Sequence, residues 1–227
     1  MPHPVRIATY NVLDPGFGTL APWNERRDNV ARTITASTAS IVCLQEAEYT
    51  PLAQQLGMVD DLVKLTALQA TDAAADGVTF LHTPDWHPVR HGWFRLPRTR
   101  GDHRRSAVWL ELSHDDGTRL LLVGTHLTFI RDKNRSRARQ ARSIVRKIRR
   151  INRRPVPVVL LGDFNSFDSR AAVTPSTELA RAGFRGAAKS SVDRIAVSEA
   201  IGVDDSGVTV LEGVASDHRL LWADLRV

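Results

Sequence analysis

The chain has 227 residues, 42% of them hydrophobic and 25% charged, with a net charge of +6. That length can bury one sizeable core, and its longest apolar runs are far too short to span a bilayer. A single cysteine, Cys43, excludes an internal disulfide, so a reducing, cytoplasmic setting is expected.

The positive charge is concentrated in one place. Residues 131–154 hold twelve Arg and Lys against one acid, Asp132, and the rest of the chain is net negative. The first six residues lack the apolar run of a secretory leader. No linker long enough to separate domains appears, so one domain over residues 1–227, and a monomer, are expected.

In chain order, residues 5–12 read as a strand that ends near Asn11. Asn24 is a candidate cap for a helix with Glu25 in its first turn and Val30 and Ile34 on its buried side. Ile41-Val42-Cys43-Leu44-Gln45 is a short apolar strand with Glu46 at its end. Cys43 reads as a core residue there. Thr50 and Pro51 open a short helix that Gly57 closes. Residues 58–76 are ambiguous, 77–82 read as a strand, and the Pro- and Trp-containing stretch after them has no clear assignment. Strands over 105–113 and 118–125 flank His114-Asp115-Asp116-Gly117, a hairpin signal.

Residues 134–152 carry the longest helical pattern. Ala141, Ile144, Val145, Ile148 and Ile151 make an apolar stripe, and Arg135, Arg139, Arg142, Arg146, Arg149 and Arg153 lie roughly opposite. The apolar run Val158-Val159-Leu160-Leu161 then reads as a strand buried on both faces. Gly162 stops it, and Asp163 and Asn165 follow. Another short helix spans 174–183, and strands are expected over 193–198, 207–213 and 218–227.

Asn11, Glu46, His126, Asp163, Asn165, Asp193, Asp217 and His218 all stand at strand ends or in loops. By itself, the Asp163 and Asn165 pair is equally compatible with an Asx-type turn. No Cys or His cluster has zinc-like spacing. A set of oxygen donors suits a hard cation such as Mg²⁺, which is held by one or two carboxylates together with phosphate oxygens. Phosphate-ester cleavage needs such charge where electron density builds in the transition state.

Six blocks, in order, carry a resemblance. They are Thr9-Tyr10-Asn11-Val12-Leu13, Cys43-Leu44-Gln45-Glu46, Gly124-Thr125-His126-Leu127, Gly162-Asp163-Phe164-Asn165-Ser166, Val192-Asp193-Arg194-Ile195 and Ser216-Asp217-His218. The chain resembles the endonuclease/exonuclease/phosphatase superfamily, as do the spacings Trp23-x-x-Arg26 and Arg137-x-x-Gln140. The resemblance implies an α/β fold: a four-layer α/β/β/α sandwich of two face-to-face mixed sheets, helices outside and the site at the strand ends. It implies a metal-dependent phosphoesterase using Mg²⁺, or Mn²⁺ in its place. Glu46 would be the principal metal ligand, with Asn11 and Asp217 completing or orienting the metal's water shell. Asp163 would activate the attacking water and Asn165 would hold it or the phosphoryl group. His126 and His218 would bond the phosphoryl oxygens, and Asp193 would fix the ring of His218.

Two positions depart from the family pattern. His82 stands roughly where the family has a tyrosine and is carried as a candidate phosphate contact. Arg105 is favoured over Arg104 as the arginine that precedes the histidine block. Members of this superfamily act on many phosphate esters. The basic segment, through Arg131, Lys133, Arg135 and Arg137, favours single-stranded or duplex nucleic acid or a nucleotide. The alternatives are a phosphatase for a small monoester or inositol-type polyphosphate, and an inactive binding module.

Overall fold

The computed structural model describes residues 3–16, 20–48, 51–167, 173–211 and 213–227. Thr50, expected to cap a helix, lies outside them. The chain begins with β1 (Pro4–Asn11), α1 (Trp23–Ser37), β2 (Ile41–Gln45), α2 (Pro51–Leu56) and α3 (Met58–Thr66). It continues with β3 (Gln69–Ala70), β4 (Thr79–His82), β5 (Trp86–Arg95), β6 (Ser106–His114) and β7 (Arg119–His126). Then come α4 (Asn134–Ile151), β8 (Val158–Asp163), α5 (Pro175–Ala180) and β9 (Phe184–Lys189). The last strands are β10 (Asp193–Ser198), β11 (Gly202–Thr209) and β12 (Leu220–Arg226). Among the described residues no helix is long and apolar enough to cross a membrane.

The strands form two six-stranded sheets, ordered β11-β12-β1-β2-β4-β3 and β5-β6-β7-β8-β10-β9. Each contains one parallel pair, β1 with β2 and β7 with β8, and is otherwise antiparallel. This is the expected pair of mixed sheets. Three apolar layers hold it together, and the two-residue alternation of the strands decides which side chains enter which layer. Ile7, Cys43, Leu122 and Leu161 face the other sheet. Tyr10, Val42 and Leu44 face α1 and α3, while Val123, Val158 and Leu160 face α4. The apolar stripe of α4 is buried through Ala141, Ile144, Val145 and Ile148. Each buried Ile or Val of that stripe contributes roughly 1.5–3 kcal/mol by leaving water.

Several expectations need correction. The residue before α1 is Pro22, not Asn24, and no side-chain cap is made there. The ambiguous stretch after Gly57 holds α3 and the short β3. The unassigned Pro- and Trp-containing stretch is the edge strand β5, which tolerates Pro88 at a register shift. Strand β11 lies earlier than expected, α5 ends at Ala180, and β9 has no counterpart in the sequence reading. Both β9 and β11 are largely exposed and lack the apolar alternation that marks a strand.

Two glycines let the parallel pair β7–β8 form where it must. A Cβ on Gly124 would lie 2.6 Å from Cys43 Sγ, across the sheet interface. Gly162 has φ +138°, and a Cβ there would lie 2.0 Å from the Thr125 carbonyl oxygen on the neighbouring strand. Gly162→Ala should therefore force β7 and β8 apart beside Asp163, with a stability loss of about 2–4 kcal/mol, readable in thermal or denaturant melts.

Candidate active site

The inward-facing row of each central strand stays apolar along its length and turns polar at its end. In β1 the row Val5, Ile7 leads to Thr9 and Asn11; in β2, Ile41 and Cys43 lead to Gln45. In β8, Val159 and Leu161 lead to Asp163, and β10 begins at Asp193 before Ile195 and Val197. The register then sets these ends side by side. His126 pairs with Asp163 across β7–β8, and Asp163 pairs with Asp193 across β8–β10. Asn11 pairs with Gln45 in the other sheet, which places Glu46 one residue beyond.

Asp163 is the hub. It is 1% exposed, and its Oδ1 accepts from the Asn165 backbone N–H at 2.7 Å. Its Oδ2 accepts from Asn11 Nδ2 at 3.3 Å and lies 3.4 Å from His126 Nε2 and 3.8 Å from His218 Nε2. The same Asn11 amide donates to Glu46 Oε1 at 2.9 Å. One side chain therefore bridges the metal-ligand candidate of the first sheet to the base candidate of the second. Glu46 has φ +59°, and its Oε2 accepts from the Asp14 N–H at 2.9 Å. Asn165, at φ +48°, donates from Nδ2 to the Leu127 carbonyl at 3.0 Å. The Asx-type geometry at Asp163 is thus real, and it coexists with the placement of both side chains in the cleft.

His218 Nδ1 lies 3.1 Å from both oxygens of Asp193, which also accepts from Ser190 Oγ at 2.9 Å. Burial opposes charge on this ring, but the Asp193 hydrogen bond and the nearby Asp163, Asp193 and Asp217 charges outweigh it. They push His218 up to about 9. His126 goes the other way: burial, then Arg105 and His218, hold it well below the ordinary histidine range, so its ring is neutral. Its Nδ1 is buried with no hydrogen-bond partner among the described residues. Burial raises the Asp163 carboxyl above the usual carboxylate range.

These groups line one cleft of about 340 Å³, formed by Leu13, Glu46, His103, Arg105, His126, Phe129, Asp163, Asn165 and His218. Arg105 faces it, paired with buried Asp102 at 3.2 Å, and Arg104 does not line it. Leu13, His103 and Phe129 were not foreseen, since loop residues carry no periodic signal. Phe129 is half exposed at the mouth; the Arg105 guanidinium lies 5.6 Å from its ring centre and the His103 ring 6.2 Å away at 28°.

The remaining candidates fall elsewhere. His82 is a correction: β4 runs antiparallel to β2, so His82 pairs with Ile41 at the end remote from Glu46. It is buried, with Nδ1 2.8 Å from the Thr83 carbonyl oxygen. Arg137 is a second correction. It is buried and donates to the Thr128 and Ile130 carbonyls and to Asn134 Oδ1. Gln140 accepts from the Thr128 N–H, so the Arg137-x-x-Gln140 spacing braces the loop that carries Phe129. Arg26 similarly donates to the Val12, Leu13 and Ala215 carbonyls, bracing the loops behind Asn11 and before His218. Arg131, Lys133 and Arg135 are exposed and do not line the cleft. Asp217 is exposed beside His218 and is likewise outside the cleft wall. Cys43 is buried, and its thiol is pushed up by burial, which fits a packing role.

The family model of the Endonuclease/Exonuclease/phosphatase family matches residues 8–218, and the chain belongs to this family of phosphoesterases. Among curated proteins nothing matches. Several solved structures share the fold. The endonuclease/exonuclease/phosphatase from Bacteroides vulgatus superposes with TM-score 0.81 at 22% identity, covering 99% of each chain. The human Nocturnin catalytic domain, solved with a bound sulfate anion, gives TM-score 0.75 at 20% identity over 99% of this chain and 93% of its own. D. rerio TDP2, complexed with a single-strand DNA product, gives TM-score 0.74 at 18% identity over 99% of each chain.

The Asp193–His218 pair yields a direct test. With His218 raised to about 9, the pair stabilises the fold in full below about pH 6.5. That contribution is lost as pH climbs through about 9. Asp193→Asn should bring the His218 titration, followed by NMR, down by at least about one unit. It should also remove most of the alkaline loss of stability attributable to this pair.

Proposed function

We propose that this protein hydrolyses a phosphodiester of a nucleic acid or nucleotide, using a divalent cation and a water activated by Asp163. The observation that carries the reading is the convergence of Glu46, Asn11, Asp163, Asn165, His126 and the Asp193–His218 pair on one cleft. The donor set fits a hard cation. Glu46 and Asp163 present carboxylate oxygens to a single amide NH₂ group, where positive charge would be favoured, and no cysteine lies in the cleft. Glu46 would hold Mg²⁺ or Mn²⁺, with Asn11 beside it and Asp217 acting on its water shell. Bound there, the cation supplies positive charge to a phosphoryl oxygen and to the leaving oxygen.

The chain's own residues do the rest. Asp163, raised toward neutrality by burial, is suited to accept a proton from water while remaining largely ionised at pH 7–8. The Asn165 N–H and the Asn11 amide fix that carboxylate by donating to its two oxygens. The protonated His218 offers Nε2–H to a phosphoryl oxygen as negative charge builds there. The neutral His126 lines the cleft with Nε2 3.4 Å from Asp163 Oδ2 and would present that nitrogen to a second phosphoryl oxygen. Arg105 adds a fixed positive charge to the wall.

Phe129 favours a substrate that carries a base. It is a half-exposed aromatic face at the mouth, and a DNA strand is bound by TDP2, a protein of the same fold. Arg131, Lys133 and Arg135, on the approach to α4, remain candidates for flanking phosphates of a long strand.

Two measurements test this reading. Hydrolysis of an oligonucleotide should require Mg²⁺ or Mn²⁺ and stop in chelator. Glu46→Gln should weaken apparent metal affinity, with excess metal restoring part of the rate. Asp163→Asn should lower kcat about 10²- to 10⁴-fold with little change in KM. Full activity in chelator, or normal turnover in folded Asp163→Asn, contradicts the mechanism.

For the base, Phe129→Ala should raise KM for an oligonucleotide by roughly five- to a hundredfold, the range of one lost stacking contact. The change should be much smaller on the same strand with an abasic residue at the scissile position. An equal effect on both strands, or a preference for base-free monoesters, would favour the small-molecule phosphatase.

A further inference from the structure

At the end of the sandwich remote from the cleft, a second group of ligating side chains joins the two sheets. His3 directly precedes β1 and is fixed by paired backbone hydrogen bonds with Val227, 3.0 Å each. His114 ends β6, and Asp116 lies at the tip of the β6–β7 turn. Asp116 Oδ2 is 2.8 Å from His3 Nδ1, and Asp116 Oδ1 is 3.0 Å from His114 Nδ1. One ligand atom from each of the three residues lies within 4.8 Å of the others. Strand β7 runs from this turn to His126, so roughly 25 Å separates the group from the catalytic cleft at 3.3 Å per residue.

We propose that His3, His114 and Asp116 form a second divalent-cation site, of the zinc type, separate from the catalytic centre. The donor set differs in kind from that of the cleft. Two imidazole nitrogens and one carboxylate oxygen suit Zn²⁺, with water completing four-coordination, whereas an oxygen set suits Mg²⁺.

A second observation points the same way. The other ring nitrogen of His114, Nε2, lies 3.1 Å from Asp85 Oδ2, and Asp85 is itself held by Thr83 Oγ1. A carboxylate behind a histidine fixes the proton on Nε2 and turns the Nδ1 lone pair toward a metal, the usual support for a metal-bound imidazole. The rings are also held in place by packing. The His3 and His114 centroids are 4.1 Å apart, and Trp86 lies 5.7 Å from the first and 5.0 Å from the second.

The two Asp116 contacts lie close to the spacing a bound ion would set, and a ligand nitrogen of each ring lies within 4.8 Å of the other. Tetrahedral Zn²⁺ with bonds of about 2.0–2.1 Å separates its ligand atoms by roughly 3.3 Å. The present 2.8 and 3.0 Å spacings would open by a few tenths of an ångström. Asp116 is exposed, its Oδ1 also accepts from the Thr118 N–H at 2.8 Å, and its own N–H would give up a 3.2 Å contact to His114 Nδ1. An ion held there would clip the start of the first sheet to a hairpin of the second.

The test is metal binding to chelator-stripped protein, read with Zn²⁺ by calorimetry and Tm and with Co²⁺ by visible absorption. One ion per chain, in addition to any held in the cleft, should bind with the intense absorption of four-coordinate Co²⁺, raise Tm, and persist in Glu46→Gln. His3→Gln and Asp116→Asn should each weaken that binding at least about tenfold, and Asp85→Asn about 10- to 100-fold. His3→Gln should leave the Mg²⁺-dependent phosphoesterase rate unchanged. Circular dichroism checks the fold of His114→Gln; His3→Gln and Asp116→Asn decide the matter if that variant does not fold. Unaltered binding in both, only six-coordinate Co²⁺, or loss of the ion in Glu46→Gln would overturn the proposal.

Discussion

The constraint on which the rest depends is the alternation of side chains along strands that end together. A parallel pair in each sheet brings two strand ends to the same edge, β1 with β2 and β7 with β8. The inward row is apolar until that edge, where Asn11, Gln45, His126 and Asp163 take over. The same packing that excludes water between the sheets thus delivers a polar cluster to one rim. A one-residue slip of β8 would turn Asp163 away from the interior and expose Val159 and Leu161 to the helix layer. Core packing and the geometry of the candidate site are therefore specified by the same register.

Burying a carboxylate at this rim is costly unless it is hydrogen-bonded, and the site supplies several partners. Asp163 accepts from an amide of the opposite sheet and from the backbone two residues on. Asp193 is bonded to Ser190 and to His218. The outcome is a site with one neutral and one cationic histidine: burial, with Arg105 and His218 nearby, holds His126 down, while the Asp193 hydrogen bond and the surrounding carboxylates outweigh burial at His218. Two buried arginines complete the arrangement from outside it. Arg26 and Arg137 spend their donors on loop carbonyls and so hold the backbone around Asn11, His218 and Phe129.

Much of this was readable before the structure, and the failures have physical causes. Buried strands such as β2, β8 and β10 are apolar enough to announce themselves, and the polar residues at their ends line or adjoin the candidate cleft. Strands β5, β9 and β11 lie at sheet edges and are exposed along most of their length, with no consistently covered face, so their sequences carry little alternation. His82 was misplaced because sequence gives a strand's position but not its direction relative to its neighbours. The arginines of 131–137 looked alike in the sequence. Only the turn of the chain before α4 separates Arg137, folded under the loop, from its exposed companions.

By itself, the sequence determined the chemistry available: which carboxylates, amides and imidazoles stand at strand ends, and that they suit a hard cation and a phosphate ester. Residue identity and a two-residue period are local properties, and a single chain read in order displays them. The tertiary structure decided which of those groups meet. Whether Asn11 reaches both Glu46 and Asp163, whether Arg105 or Arg104 faces the cleft, and whether a histidine is neutral or charged depend on strand pairing and burial. These are properties of the space between distant segments, where two sheets approach and water is excluded, and no local pattern encodes them.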